Sequence, residues 1–348
     1  MKSKNLMLIF VIIILLGTGL YVYNSKKNNN GYSKDYFSLG TINKIEIFNL
    51  NENKSNELLD ECGKILNDID NKMSKHIKTS EVNKINKNAS SSFVKVSKDT
   101  FYVISSAINY SELSDGVFDI TIGPIVDLWG IGSDKAKVPS NVEIESKIPL
   151  VNYKDIILDK DTLSVKLNNK DMSIDLGGIA KGFAADKIIA YLKEEGVDKA
   201  VVNLGGNIYT LGFKDNNTPF NIGIQDPTKP RGNAIGTILT SNTSIVTSGI
   251  YERYIEKNNK IYHHMLSPFT GYPFENNLSS VTIISNKSIN CDALSTTAFG
   301  LGIDKGLKLV NSLDNVDAIF ITKDKKIYLS KNIENDFTIT DNNFRIAN

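Results

Sequence analysis

Asp292 and Thr296 stand four residues apart in Ile289-Asn-Cys-Asp-Ala-Leu-Ser-Thr-Thr-Ala-Phe299. On a helix this spacing puts a carboxylate and a hydroxyl on one face. Both are hard oxygen ligands, suited to Mg²⁺ or Ca²⁺ and not to zinc. The same aspartate could instead only cap or charge a helix start. A second segment, Ser173-Ile-Asp-Leu-Gly-Gly-Ile-Ala-Lys-Gly-Phe-Ala-Ala-Asp186, sets a Gly-Gly turn between a strand ending at Asp175 and a helix with Lys181 in its first turn. Backbone amides at a helix start, with a lysine, suit an anionic oxygen such as a phosphate. The P-loop spacing is absent, and a Gly-Gly turn can also be plain geometry. Tyr262-His-His-Met-Leu-Ser-Pro-Phe-Thr-Gly-Tyr-Pro273 holds two of the three histidines. Neighbouring strand residues face opposite ways, so at most one of His263 and His264 can enter a given site. In Gly116–Gly130, Asp119, Thr121 and Trp129 could line a pocket or simply close a turn. Cys291 has no basic sequence neighbour to lower its pKa and reads as a small buried residue.

The elements that must position these groups show in the apolar spacing. Thr41–Leu50 alternates as a half-buried strand, while Asn56–Met73 and Lys98–Glu112 repeat at three and four residues as amphipathic helices. Ile156–Leu158 and Ser164–Leu167 read as a hairpin, and Met172–Leu176 as a strand before a helix that Gly196 stops. Further strands are expected at 200–204, 208–212, 220–224, 234–239 and 279–285. Helices follow at about Cys291–Leu301 and Asp304–Ser312, then a hairpin of Ala318–Thr322 with Ile327–Ser330. Helices do not alternate regularly with strands, which predicts an α+β fold with a largely antiparallel sheet and packed helices.

Composition narrows the function. The 348 residues carry 40 Lys+Arg against 39 Asp+Glu, and only Arg231, Arg253 and Arg345 are arginine. No basic stripe or arginine fork is on offer, so nucleic acid is not an expected partner. Two widely separated cysteines cannot form a four-cysteine zinc site. Leu6–Tyr23 is an uncharged 18-residue stretch flanked by lysines, reaching roughly 27 Å as a helix. It fits a membrane anchor or a signal peptide in residues 1–23. A polar tether is expected over 24–35, one globular domain over 36–335 and a tail over 336–348.

In this order, the segments resemble the FAD:protein FMN transferase family, the ApbE-like flavin transferases, from about Leu39 to Thr322. The matching stretches are GVFDITIGPIVDLWGIG (116–132), IDLGGIAKGFAAD (174–186), NLGGNI (203–208), TSGIYERY (247–254), HHMLSPFTGYP (263–273), SVTIIS (280–285) and CDALSTTAFGLG (291–302). The resemblance implies an ApbE-like, T-fold-like architecture. It implies an enzyme that takes FAD as substrate with Mg²⁺, passes FMN to a Thr (or Ser) hydroxyl of a partner protein, and releases AMP. Asp175 and Lys181 should then contact FAD, Val117, Phe118 and Asp119 should hold it, and Leu266 should line the flavin pocket. Gly178 would offer its carbonyl to the metal, with Asp292 and Thr296, and Ser295 beside them, completing the protein's share. Leu39 aligns with a pocket position that is often Met. His76, in Met73-Ser-Lys-His76, stands where the family reads an aromatic residue, so stacking on flavin should survive in weaker form. His264 is the candidate for deprotonating the incoming hydroxyl, and Asp292 the runner-up. An FAD pyrophosphatase and a non-catalytic, surface-anchored flavin binder are the other two readings. The expected acceptor is a membrane-bound or extracytoplasmic electron-transfer flavoprotein, with the globular domain held outside the cell membrane by its N-terminal segment.

Overall fold

The computed structural model describes residues 31–333 and 336–347; Leu6–Tyr23 and residues 24–30 of the expected tether lie outside them. Among the described residues no helix is long and apolar enough to cross a membrane. The first part of the chain forms β1 (Tyr32–Ser38), β2 (Thr41–Ile47), α1 (Glu52–Met73), α2 (Glu81–Lys87), β3 (Val94–Lys95), α3 (Lys98–Leu113), α4 (Gly123–Trp129) and α5 (Asn141–Glu145). Next come β4 (Ile156–Asp159), β5 (Ser164–Leu167), α6 (Ala180–Glu194), β6 (Ala200–Leu204), β7 (Asn207–Leu211), β8 (Phe220–Gln225), β9 (Ala234–Thr240) and β10 (Thr243–Gly249). The rest is β11 (Tyr254–Lys257), β12 (Lys260–His263), β13 (Leu278–Ser285), α7 (Ser288–Val310), β14 (Val316–Thr322), β15 (Lys326–Leu329), β16 (Phe337–Ile339) and β17 (Arg345–Ile346).

Nine strands share one sheet in the order β1-β2-β6-β7-β10-β13-β14-β15-β17. Every neighbouring pair is antiparallel except β15 with β17. The fold is therefore α+β, as the sequence pattern predicts. One face carries α1, α6 and α7 over two apolar clusters, which take up Ile45, Leu59 and Ala184 in one and Val281, Ile283 and Phe299 in the other. The opposite face meets the small sheet β16-β9-β8 through Ile284, Ile319 and Ile321 against Ile238 and Phe337. Every residue of β13 is buried, as a strand covered on both faces must be.

Several sequence expectations change. Residues 32–35, assigned to the tether, already belong to β1. Tyr36 on that strand explains the early start: its ring lies against Gly63, where no side chain fits, and its hydroxyl donates to Leu59 O at 2.6 Å. The expected C-terminal tail instead supplies β16 and β17, anchored by buried Phe337 and Phe344. Met172–Leu176 is not a strand but an extended segment with a single bridge, Ser173 to Ile122. The two helices expected after Cys291 are present within α7, which breaks at Gly302 with φ of 75°.

Candidate active site

Two helix starts, those of α6 and α7, press together at Gly182. A Cβ there would collide with Ser288 O and come within 2.7 Å of Ile289 Cα. Glycine is required by that close approach. It brings Gly182 N–H within 2.9 Å of Asp292 Oδ2, and Lys181 Nζ within 3.3 Å of Asp292 Oδ1. Lys181 also donates to Gly177 O at 3.2 Å. One turn further along α6, Asp186 accepts from Ser288 N–H (2.7 Å) and Ile289 N–H (2.9 Å). No cap on α7's own N-cap residue serves these amides, so a neighbouring helix caps it. Burial pushes the Asp186 carboxyl up, against the pull of those two amides.

At the end of β10, Ser248 Oγ lies 2.8 Å from Ser295 Oγ and 3.3 Å from Thr296 Oγ1, while Ser295 donates to Asp292 O at 2.9 Å. Gly178 faces the same spot. A Cβ on it would sit 3.2 Å from the Phe118 ring and 3.9 Å from Thr296 Oγ1. The structure thus brings Gly178, Lys181, Asp292, Ser295 and Thr296 together and adds Ser248. That residue lay in a matched stretch but carried no role, because nothing local to TSGIYERY marks one serine as facing α7. The donors are one carboxylate and hydroxyls beside the Gly177 carbonyl, and no group of three His, Cys, Asp or Glu side chains that could hold a metal ion occurs among the described residues. Such a set fits Mg²⁺ that draws its other ligands from phosphate and water, and it does not fit zinc. Lys181 against Asp292 Oδ1 and Gly177 O marks the place where positive charge is wanted. Cys291 is fully buried, and burial pushes its thiol well up, so it is no nucleophile.

Asp175 sits at the entry to the Gly-Gly turn. Its Oδ1 accepts from Gly177 N–H at 2.8 Å, and its Oδ2 pairs with Lys75 at 2.9 Å. Burial raises the carboxyl pKa, but Lys75 outweighs it and holds Asp175 below the usual range. His76 is exposed nearby, and its charge too is felt at Asp175. Phe118 is buried edge-on to Tyr110, and Val117 packs against Gly300. Asp119 takes the second of its two possible roles. Thr121 N–H (2.7 Å), Thr121 hydroxyl (2.6 Å) and Tyr153 N–H (2.8 Å) occupy its oxygens, closing the turn that carries Phe118. Leu266 and Trp129 are core residues of one small cluster with Ile125 and Ile144, and Trp129 Nε1 donates to Gly271 O at 2.7 Å.

On another rim, Leu39 occupies the left-handed region (φ 53°), uncommon for a bulky residue, with its N–H on Asp70 Oδ2 at 2.9 Å. Arg253 donates to the adjoining Gly40 O at 3.0 Å, and Arg253 O lies 3.1 Å from His264 Nδ1. A carbonyl only accepts, so Nδ1 carries the proton and Nε2 is left as an acceptor. Burial, aided by the charges of Arg253 and Lys181, lowers the His264 pKa to about 4, so the ring is neutral near pH 7. His263 goes the other way, as strand alternation predicts: it is buried edge-on to Phe299, with Nε2 at 3.2 Å from Phe274 O.

The chain matches the ApbE family over residues 39–320. It is 40% identical over 267 residues to the FAD:protein FMN transferase of Klebsiella pneumoniae, covering 77% of this chain and 83% of that protein. It is 30% identical over 358 residues to the Treponema pallidum FAD:protein FMN transferase, covering 99% of both. Among solved structures, the ApbE protein of Thermotoga maritima superposes with a TM-score of 0.80 at 31% identity, over 88% of this chain and 99% of that one. The flavin transferase ApbE of Vibrio cholerae gives 0.78 at 25% identity, over 88% and 100%. The chain belongs to the ApbE family, in which its named relatives are FAD:protein FMN transferases.

Proposed function

We propose that this protein transfers the FMN moiety of FAD to a threonine (or serine) hydroxyl of an acceptor protein, with Mg²⁺, and releases AMP. The observation that carries this reading is the meeting of the α6 and α7 starts, where Lys181 Nζ and Gly182 N–H hold Asp292 and Gly178 lies beside Thr296. Asp292 Oδ1, the Thr296 hydroxyl and Gly178 O would hold Mg²⁺, with Ser248 and Ser295 orienting the hydroxyls. When bound, the metal neutralises phosphate charge and stabilises AMP as the leaving group. Lys181 and the Gly178 amide bind phosphate oxygens at the helix start, the Gly177 amide being held by Asp175. Asp175 and the Phe118 segment position the rest of the dinucleotide, and Leu39, Leu266 and His76 are assigned to the flavin side. His264 Nε2 accepts the proton of the acceptor hydroxyl as its oxygen bonds to the FMN phosphorus. The phosphoanhydride bond breaks on the far side of that phosphorus, and AMP leaves with the bridging oxygen. Positioning and charge neutralisation are most of what such a transfer asks of a protein.

The test is incubation of the full chain with FAD, Mg²⁺ and candidate acceptor flavoproteins, followed by mass spectrometry and AMP assay. An FMN adduct on a hydroxyl residue, with matching AMP, is the expected result. AMP and FMN without an adduct would favour FAD hydrolysis, and no turnover of FAD would overturn the reading. The apolar Leu6–Tyr23 stretch supports a further assignment: the domain works outside the cell membrane on membrane-bound or exported electron-transfer proteins. Protease added to intact cells should then remove the domain, and protection would contradict this topology.

A further inference from the structure

The turn bearing Asp175 and Gly178 is gripped from behind by side chains that no step above uses. Helix α2 carries Asn83 and Asn86 three residues apart, hence on one face. Asn83 Nδ2 donates to Lys75 O at 2.8 Å. Asn86 clasps the backbone of Ile174, donating to its carbonyl at 3.0 Å and accepting its N–H at 2.8 Å. One short helix therefore fixes both the residue before His76 and the residue before Asp175. The Lys75 ammonium closes the remaining gap, 2.9 Å from Asp175 Oδ2 and 2.7 Å from Asp127 Oδ1 on α4.

The burial of this link is graded. The Lys75 side chain is 8% exposed, that of Asp175 19% and that of Asp127 59%. Burial works against the ammonium, but the two carboxylates keep it charged. Removing the lysine would leave Asp175 with one amide and no ion-pair partner beyond the influence of exposed His76, in a place where an unpaired carboxylate is costly. Its neighbours in sequence, Gly177 and Gly178, offer little side-chain resistance to the turn shifting with it.

We propose that Lys75 is a positioning residue for FAD: by holding Asp175 between α2 and α4 it sets the 175–178 turn in the form that receives the dinucleotide. The inference rests on the transferase reading for the identity of its ligand. It is separable from that reading because FAD binding is measured directly, without metal or acceptor.

Flavin fluorescence titration of the full chain gives the FAD dissociation constant. Lys75→Met, which keeps the stem and removes the charge, should weaken FAD binding about tenfold or more, on the scale of one lost charge-assisted bond. In turnover the loss should fall on the KM for FAD more than on kcat. Since Lys75 acts through Asp175, Lys75→Met combined with Asp175→Asn should bind FAD no worse than Asp175→Asn alone. That double variant leaves no unpaired Asp175 charge buried, so it decides the matter even where Lys75→Met alone fails to fold. Wild-type affinity in folded Lys75→Met, or losses that multiply in the double variant, would overturn the proposal. A wild-type chain that binds no FAD would instead overturn the functional reading beneath it.

Discussion

Lys181 already sits on Asp292 Oδ1 while Oδ2 accepts from Gly182 N–H, so a cation at the proposed site would compete with Lys181 for this carboxylate. The two residues should therefore fail in different ways. Asp292→Asn keeps the size but removes the only carboxylate of the donor set, so the Mg²⁺ midpoint should rise and added Mg²⁺ should partly restore rate. Lys181→Ala should weaken FAD binding and leave the Mg²⁺ midpoint unchanged or lower, since a competitor for Oδ1 is gone. Each lost charge contact in the chemical step is worth a few kcal/mol, roughly a hundredfold or more in rate. Titrating Mg²⁺ against AMP release for both variants checks this, and identical midpoints for wild type and Asp292→Asn would refute the assignment. Periodicity showed that Asp292 and Thr296 share a helix face by a step of four and that His263 and His264 face opposite ways, while the roles proposed for them come from the family resemblance. Lys75, Arg253 and Asn86 were not legible in the sequence. Their partners Asp175, Gly40 and Ile174 are brought to them by the tertiary fold, and no local pattern carries such pairings.

Among elements, α7 depends on α6 for its N-terminus. Asp186→Ala removes the acceptor of two amides at once and should cost about 1–2 kcal/mol, the range of a lost helix cap. Because Asp292 is four residues beyond Ser288, loosening that turn should also raise the Mg²⁺ midpoint. Thermal melts with the metal titration test both, and a destabilised variant with an unmoved midpoint would separate the cap from the site. The β12 end makes a second, pH-dependent prediction. Burial lowers both His263 and His264 to about 4 from the ordinary 6.5. The folded state then binds fewer protons than the unfolded chain between those values. Their contribution is fully present above pH 6.5 and is lost as pH falls towards 4. Asp119 and Asp186, raised by burial, act in the opposite sense near the acid end. Urea midpoints from pH 7 to pH 4 should fall, and His263→Gln should flatten that fall; an unaltered slope would contradict the burial of this ring.

Across the whole molecule, the antiparallel sheet was readable because its strands alternate or run apolar, and β13 shows both faces covered in its unbroken burial. Thr243–Gly249 escaped notice because a strand of Ser, Thr and Gly around Ile245 and Val246 has little apolar contrast, although it carries Ser248 into the site. The end of the chain misled for a related reason. Polar Asp and Asn surround its few apolar residues, yet Phe337 and Phe344 are buried with Ile238, Ile319 and Ile327. Phe337 also fills the space over Gly236, where a Cβ would come within 2.5 Å of its ring. Burying two such side chains is worth about 3–6 kcal/mol together. That is a large share of the roughly 5–15 kcal/mol that holds a typical domain folded. A chain ending at residue 335 should therefore show a much lower urea midpoint than the full chain. The apolar clusters around the site are separate from this one, so at low temperature the folded fraction should still bind FAD with unchanged affinity. Urea titration and flavin fluorescence on the truncated chain measure both quantities, and an unchanged midpoint would restore residues 336–348 to the status of a tail.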